Sequence, residues 1–409
     1  MQAWDSYPES PTWQTARMSD TRRFDIVLFG GTGFTGGLTA EYLAEHAPDD
    51  LRWALAGRNR AKLEALRERL AKIRPAGTEL ELLIADVEDP ASLQAVAEST
   101  SVVITTVGPY ALHGGPLVAA CAEAGTDYVD LTGEPEFVDR TFLLHQQRAK
   151  ETGARLVHCC GFDSIPHDLG AYFTVQQLPE GVPLKVEGFV RANATFSAGT
   201  FHSAVNAFGR GRQTIQAAKQ RRAVEKRNPD RRVSGIKGGV RRAPIGGGWV
   251  APLPTVDPQI VLRSARAIER YGPDFSYGHY MSAKRLATIV GTGGMVGSLL
   301  VLAQPKPLRN GLLKLKASGD GPSAEKRAKS WFRVRFVGEG GGKRVVTEVS
   351  GGDPGYDETA KMLAESGLCL ALDPLPKTSG QVTTAQAMGN ALIDRLVAAG
   401  MTFRVIESS

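Results

Sequence analysis

The chain is poor in cysteine: four among 409 residues, Cys121, Cys159, Cys160 and Cys369, with neither a C-x-x-C pair nor the spacing of a disulfide framework. That excludes a small disulfide-stapled fold and makes the reducing cytosol the expected compartment. If Cys159 and Cys160 lie on a strand they point to opposite faces, and burial is the expected role of both. A secretory signal is missing too, because Met1 to Arg23 has no basic start followed by an apolar run. This stretch reads as a disordered tail over residues 1–23, with Met18 as a second candidate start. There is no solenoid-type repeat, and no metal-ligand cluster, P-loop or nucleophile elbow, so no metal is expected. Apolar runs of membrane-spanning length are scarce. Leu286 to Ala303 has eighteen residues without a charge, the lower edge of that length. Gly291, Gly293, Gly294 and Gly297 lower its hydrophobicity and helix propensity. A buried core or dimer helix is therefore expected first, a segment dipping into a membrane surface second, and a true span last.

What is present fits a globular chain of two or three domains, with 42% hydrophobic residues to bury. The net charge of +6 is unevenly spread: Arg210 to Arg242 holds twelve Lys or Arg against Glu225 and Asp230. A solvated loop is the plain reading of such a run. An acidic macromolecule or an anionic membrane surface is the functional one. No aromatic residue interleaves these charges, which argues against a single-strand stacking platform, and nucleic acid is not an expected partner.

The organising stretch is Asp25 to Gly36, where a short apolar run breaks into a glycine-rich turn that feeds a helix-forming segment. Its glycines fit two frames, Gly31-x-Gly33-x-x-Gly36 and Gly30-x-x-Gly33-x-x-Gly36. Either is a dinucleotide-binding turn: one glycine reverses the chain, one admits the pyrophosphate, and one lets helix and strand pack closely. Further strands are expected at Arg52–Ala56, Leu80–Ala85, Val102–Val107, Tyr128–Leu131 and Arg155–Cys160, alternating with five helices. This predicts an α/β fold, an N-terminal Rossmann doubly wound parallel sheet over residues 24–165. Beyond it the rhythm changes. A strand near Leu184–Ala192, a hairpin of Trp331–Val337 and Lys343–Val349, and helices at Tyr356–Leu372 and Thr384–Ala399 predict a second, mixed α+β domain over 166–409. It carries a basic insertion near 210–258, and its C-terminal helix 384–399 is expected to pack back on the Rossmann domain.

The cofactor is expected against Gly30, Gly31, Thr32, Gly33, Phe34, Thr35 and Gly36, with phosphates on the helix N-terminus. Arg58, at the end of the second strand, stands where an acid would read a ribose 2′-hydroxyl and an arginine a 2′-phosphate. NADP(H) is therefore expected over NAD(H), with Asn59 and Lys62 assisting. Asp86 is a candidate for the adenine edge or for a helix cap. Val107, Gly108 and Pro109 should border the nicotinamide. Tyr110 and His113 bring ionisable side chains to that point and are the candidate catalytic acids, with plain packing as the alternative for each. Tyr110 is also a candidate substrate contact, together with Glu134, Phe162, Asp163 and Ser164 at the ends of the fifth and sixth strands, and capping is the alternative for Asp163 and Ser164.

The glycine turn, Ala56-Gly57-Arg58, Val107 to Gly114, Ala119-Ala120-Cys121-Ala122, Gly125 to Glu134, Cys160 to Asp168, Gly351 to Tyr356 and Thr384 to Gly389 together resemble saccharopine dehydrogenase-like NADP-binding oxidoreductases. Within that group they are most similar to the actinobacterial trans-acting enoyl reductases. The resemblance implies NADPH-dependent reduction of a carbon–carbon double bond in an acyl or polyketide thioester, as in lipid biosynthesis. It also implies a substrate bound to a carrier protein and a cytoplasmic homodimer. His167 departs from the serine of that pattern, which bears on substrate choice. Two other readings stand beside it. One is a saccharopine dehydrogenase-type imine or secondary-amine oxidoreductase, which would call for carboxylate-binding arginines that the strand ends do not display. The other is a non-catalytic nucleotide-binding scaffold at a membrane.

Overall fold

The computed structural model describes residues 13–14, 22–194, 201, 205–206, 209–226, 228–314 and 321–409. Most of the expected tail therefore lies outside the described residues; of it, Trp13–Gln14 pairs with Leu375–Pro376 and Arg22 donates to the Ala124 carbonyl.

Six parallel strands, β1 (Phe24–Phe29), β2 (Trp53–Gly57), β3 (Glu81–Ile84), β4 (Thr100–Thr105), β5 (Asp127–Asp130) and β6 (Arg155–Val157), lie in the sheet order 3-2-1-4-5-6. That is the order of two mononucleotide-binding halves side by side. Successive side chains face opposite layers, as strand geometry requires. Ile26, Leu28, Val102 and Ile104 meet the helices Phe34–His46 and Arg60–Ala71. Val27, Phe29 and Val103 meet Pro90–Ser99 and Gly115–Ala124.

The Rossmann layer draws on more of the chain than 24–165. A late helix, Asp357–Leu372, packs on the first face, so close to β4 that a Cβ on Gly367 would come 2.3 Å from Ile104 Cδ1. Gly380–Val382 then adds a seventh strand, parallel to β6. The helix expected over 384–399 is two pieces, Thr384–Ala387 and Gly389–Ala398, parted where Gly389 takes φ +50°. β6 stops at Val157, short of the expected Cys160. There the Asp130 carboxylate accepts the Cys159 N–H at 3.0 Å and Cys159 takes φ +65°, turning the chain out of the sheet. All four cysteines are buried free thiols.

The second sheet has eight strands around a parallel central pair, Leu184–Asn193 and Asp274–Ala283, with the hairpin Trp331–Gly340 and Lys343–Gly351 on one side. The helix Ile165–Gln176 lies on its face; Gly170 allows this, since a Cβ there would come 2.4 Å from the Phe336 ring. Short strands Arg232–Gly235, Arg241–Arg242 and Trp249–Pro252 line the far edge, within the stretch where no periodicity is visible in the sequence.

Two expectations change here. Part of the basic run is built into the fold, on a helix and short strands, and is not a loop. Arg210 holds Glu136, Arg221 is buried against Glu225 and Gln381, Arg231 donates to the carbonyls of Ala265, Ile268 and Gly272, and Arg241 reaches Glu187. Arg212, Lys219, Arg222, Lys226, Arg232, Lys237 and Arg242 stay exposed. The apolar run forms the helix Leu286–Leu302, of which Ile289 alone is buried in the single chain.

Candidate functional site

The site lies at the carboxyl ends of the parallel strands, where the two winding directions part between β1 and β4. Gly30 has φ +93°, which selects the frame Gly30-x-x-Gly33-x-x-Gly36, because Gly31 has no such conformation. At Gly36 a Cβ would sit 2.3 Å from the Gly30 carbonyl oxygen and 2.6 Å from Thr106 Oγ1. Helix and strand therefore touch backbone to backbone, and the first turn of Phe34–His46 points open N–H groups over the exposed Thr32 and Gly33. No side chain caps that helix, which leaves its N-terminus to an anion. Phe34 instead turns to the second domain, edge-on to Tyr356 at 4.9 Å with Arg327 over its ring. Thr35 is engaged within the helix, its carbonyl accepting from Thr39 Oγ1 at 2.9 Å.

Arg58 is exposed just past the end of β2. Beside it, Asn59 Oδ1 accepts the Lys62 N–H at 3.0 Å, so Asn59 caps the helix Arg60–Ala71. Arg58 is thus exposed and not part of the cap. Arg58→Ala is expected to weaken NADPH binding by roughly 10–100-fold, the worth of a charge-assisted pair, while NADH binding changes little. Titrating both nucleotides by fluorescence checks this; equal losses would count against it. Asp86 closes a turn, accepting the Glu88 N–H, while Asp89 caps the next helix, so the capping alternative for Asp86 is not what is found.

Tyr110 is not placed as a proton donor. It is buried among Phe137 and Val118 on the far layer, its hydroxyl donates to the Thr105 carbonyl at 3.1 Å, and burial followed by the Asp130 charge pushes its pKa well up. Tyr110→Phe should cost about 1 kcal/mol of stability, one buried hydrogen bond, and leave turnover within about threefold, as denaturant melts and steady-state rates will read. His113, three residues on, is exposed. Glu134 is buried and used from within: its two carboxylate oxygens accept the N–H groups of Tyr110 and Ala111 at 3.0 and 2.9 Å. It ties the β5 loop to the turn Val107-Gly108-Pro109, whose Gly108–Pro109 peptide is cis. Ser164 is buried, its hydroxyl donating to the Asp163 carbonyl at 2.6 Å.

Phe162 and Asp163 remain partly open, on the loop after β6. The Asp163 carboxylate lies over Gly133, where a Cβ would come 2.8 Å from Oδ2. Behind it are three buried groups from separate elements: His167 on Ile165–Gln176, Asp257 opening the helix Asp257–Ala267, and His279 on the strand Asp274–Ala283. Asp257 Oδ2 is 3.3 Å from His279 Nε2, and Oδ1 is 3.7 Å from His167 Nε2. Thr255 donates to the same carboxylate, and the Tyr277 hydroxyl meets His279 Nδ1 at 3.1 Å. Phe162 packs edge-on to His167, linking cluster and loop.

Electrostatics sorts these groups. Burial drives the His167 pKa down to about 4, with the Asp257 charge opposing. Burial also acts to raise the pKa of Asp257, but His167 and His279 outweigh it and hold it below the ordinary carboxylate value. Burial and then the Asp257 charge push Asp163 up to about 7. Two neighbouring carboxyl groups thus divide, Asp257 ionised and Asp163 able to carry a proton near neutrality.

The sequence reading missed Asp257 and His279. Asp257-Pro258 reads as a helix start and His279 as a strand residue; no spacing joins them to His167. The structure also corrects the expectation of no metal-ligand group: the donor atoms of these three lie within 4.8 Å of one another, a two-histidine, one-carboxylate set that could hold a divalent cation.

Comparison with known proteins gives the class. Residues 26–157 match the family model of the saccharopine dehydrogenase NADP binding domain, and the chain is an NADP-dependent oxidoreductase. Over its whole length it is similar to the saccharopine dehydrogenase (L-Glu forming) of Saccharomyces cerevisiae, with a TM-score of 0.54 at 12% identity, covering 94% of this chain and 100% of the other; at that identity the likeness is one of fold. The trans-acting enoyl reductase of Mycobacterium ulcerans is 34% identical over 423 residues, covering 94% of this chain and 98% of its own. That of Mycobacterium bovis is 34% identical over 414 residues, covering 93% and 97%. A Mycobacterium tuberculosis relative, whose name carries the same activity provisionally, is 40% identical over 412 residues, covering 94% and 97%. The chain belongs to the trans-acting enoyl reductase family.

Proposed function

We propose that this protein reduces the carbon–carbon double bond of an α,β-unsaturated acyl thioester, with Asp163 as the group that protonates the α-carbon. The observation that carries the assignment is the position of Asp163: a partly open carboxyl at the carboxyl edge of the parallel sheet, backed by the buried carboxylate of Asp257. The residues present suit NADP(H), since the Gly30 to Gly36 cradle leaves no room for a Cβ at Gly36 and Arg58 stands at the ribose position. NADPH held there would supply a hydride for the β-carbon of the acyl chain. Gly133 lets the chain backbone and the Asp163 carboxyl approach each other, and the carboxyl passes its proton to the α-carbon as the enolate collapses. The backbone N–H groups of Thr132, Glu134, Cys160 and Phe162 are already engaged, which leaves those of Gly133 and Gly161 as the donors for the charge that develops on the thioester oxygen. Asp257, held by His167 and His279, positions Asp163 by keeping a negative charge behind it, so that the proton is retained until it is needed.

The test is NADPH consumption against a panel of α,β-unsaturated acyl thioesters of coenzyme A, with mass analysis of the products. A gain of two hydrogens at the double bond is expected. Consumption only with imines would move the assignment to amine chemistry, and binding of NADPH without consumption would leave a scaffold.

The acyl group is further proposed to arrive on an acidic carrier protein, of the polyketide type, docked on exposed cations of the 210–242 segment. Arg221 is unsuited to that role, being buried. Reversing Arg222, Lys226 and Arg232 should reduce activity on carrier-bound chains about tenfold more than on a small thioester, with a salt dependence to match. Equal losses on both substrates would reject docking there.

A further inference from the structure

Between Asp274 and Asp320 the chain has no acidic residue and six basic ones, Lys284, Arg285, Lys306, Arg309, Lys314 and Lys316. At the centre of this stretch is the helix Leu286–Leu302, which has no charged residue and stands off the body of the protein. It rests on one stripe, Ile289, Thr292, Val296 and Leu299, at helical spacing. The rest of its circumference is exposed: Val290 at 65%, Met295 at 53% and Val301 at 66% of full accessibility. At 3.6 residues per turn, Val290 and Met295 point about 140° apart. Gly291, Gly293, Gly294 and Gly297 have nothing within 4 Å of an added Cβ.

A helix apolar around most of its girth, with cations at both ends, has no stable resting place in water. A second copy of the chain would cover one side of it and leave the other wet. Lipid surrounds a helix on every side. Seventeen residues rise about 25 Å, short of the roughly 30 Å hydrocarbon core, and no helix among the described residues is long and apolar enough to cross a membrane. Entry into one leaflet suits this length, with Lys284 and Arg285, both exposed, at the level of the headgroups. We infer that the helix Leu286–Leu302 inserts into one leaflet of an anionic bilayer and docks the protein on the membrane surface. The inference does not depend on the acyl substrate assigned above.

The test uses the full-length protein and vesicles of phosphatidylcholine and phosphatidylglycerol at equal parts, with pure phosphatidylcholine as the neutral comparison. Because the four native cysteines are buried, Met295→Cys offers one accessible thiol for an environment-sensitive fluorophore. The protein should co-sediment with the anionic vesicles at least tenfold more strongly than with the neutral ones, and the label should brighten and shift to the blue. The combined variant Val290→Asn, Leu300→Gln, Val301→Asn should lose at least tenfold in vesicle affinity while binding NADPH as before. Lys284→Glu with Arg285→Glu should remove the preference for anionic lipid. Absence of sedimentation overturns the inference. So does sedimentation with the label still in water, which would leave the basic segment as the contact. A dimer that the apolar variant dissolves, without vesicle binding, would assign the helix to a second copy.

Discussion

Replacing Asp163 with asparagine is expected to lower turnover of the acyl thioester by about 10²–10³-fold, the usual worth of a positioned general acid, and to leave NADPH affinity within about twofold. The variant is isosteric, so binding of the acyl group should persist and the loss should fall on kcat more than on KM. The pH profile separates this role from a merely structural one. With the Asp163 pKa near 7, turnover of the parent protein should fall about tenfold per unit above that pH, and the variant should lose this limb. The stability change has the opposite sign to a damaging mutation. A carboxyl whose folded pKa is raised above its unfolded value contributes fully below the unfolded pKa, and that contribution is lost as the pH rises through the folded pKa. At pH 8 the native protein holds an ionised Asp163 at a cost, so Asp163→Asn should melt at the same temperature or higher. A variant that melts lower and keeps its alkaline limb would place the proton elsewhere.

The second large effect is expected at Gly36. Substitution by valine puts a branched side chain where even a Cβ lies 2.3 Å from the Gly30 carbonyl oxygen, and that atom is backbone and cannot swing aside. The helix Phe34–His46 must move off β1, carrying its N-terminal N–H groups with it. A displacement of about 1 Å is enough to lose roughly 100-fold or more in affinity for NADPH and NADH alike. This distinguishes Gly36 from Arg58, whose removal should be felt by NADPH selectively. Calorimetric titration of the two nucleotides reads both, with circular dichroism to show that the variant is folded. Nucleotide binding unchanged in Gly36→Val would mean that the helix start is not the phosphate site.

Among the residues named in these predictions, Gly36 and Arg58 are singled out by the sequence alone, because a glycine turn and the end of the second strand are read from neighbours a few residues away. A strand, a glycine turn and a helix are short-range facts, and the residue ending the second strand lies at a predictable offset from the turn. Leu63, Leu66 and Leu70 show their buried face by spacing alone. Asp163 is legible as a residue on the right loop but not as a group with a raised pKa, because that shift comes from burial and then from the charge of Asp257, ninety-four positions later. Tyr110 and Glu134 have the chemistry expected of a site and serve to hold two loops together. Nothing local distinguishes a hydroxyl that meets substrate from one that meets a carbonyl.

The sequence by itself determined the alternation of strands and helices, the dinucleotide turn, the preference for a phosphorylated ribose and the presence of an uncharged apolar helix. These rest on periodicity, backbone conformation and charge type, each of which acts within one element. The tertiary structure alone decided which glycine frame is used, since φ and the contact across to Thr106 are what choose it. It decided that a helix at 357–372 and a strand at 380–382 complete the Rossmann layer. It brought His167, Asp257 and His279 together behind Asp163, and it left Leu286–Leu302 uncovered. Burial and proximity between elements distant in the chain set these outcomes, because desolvation and charge act through space and not along the backbone.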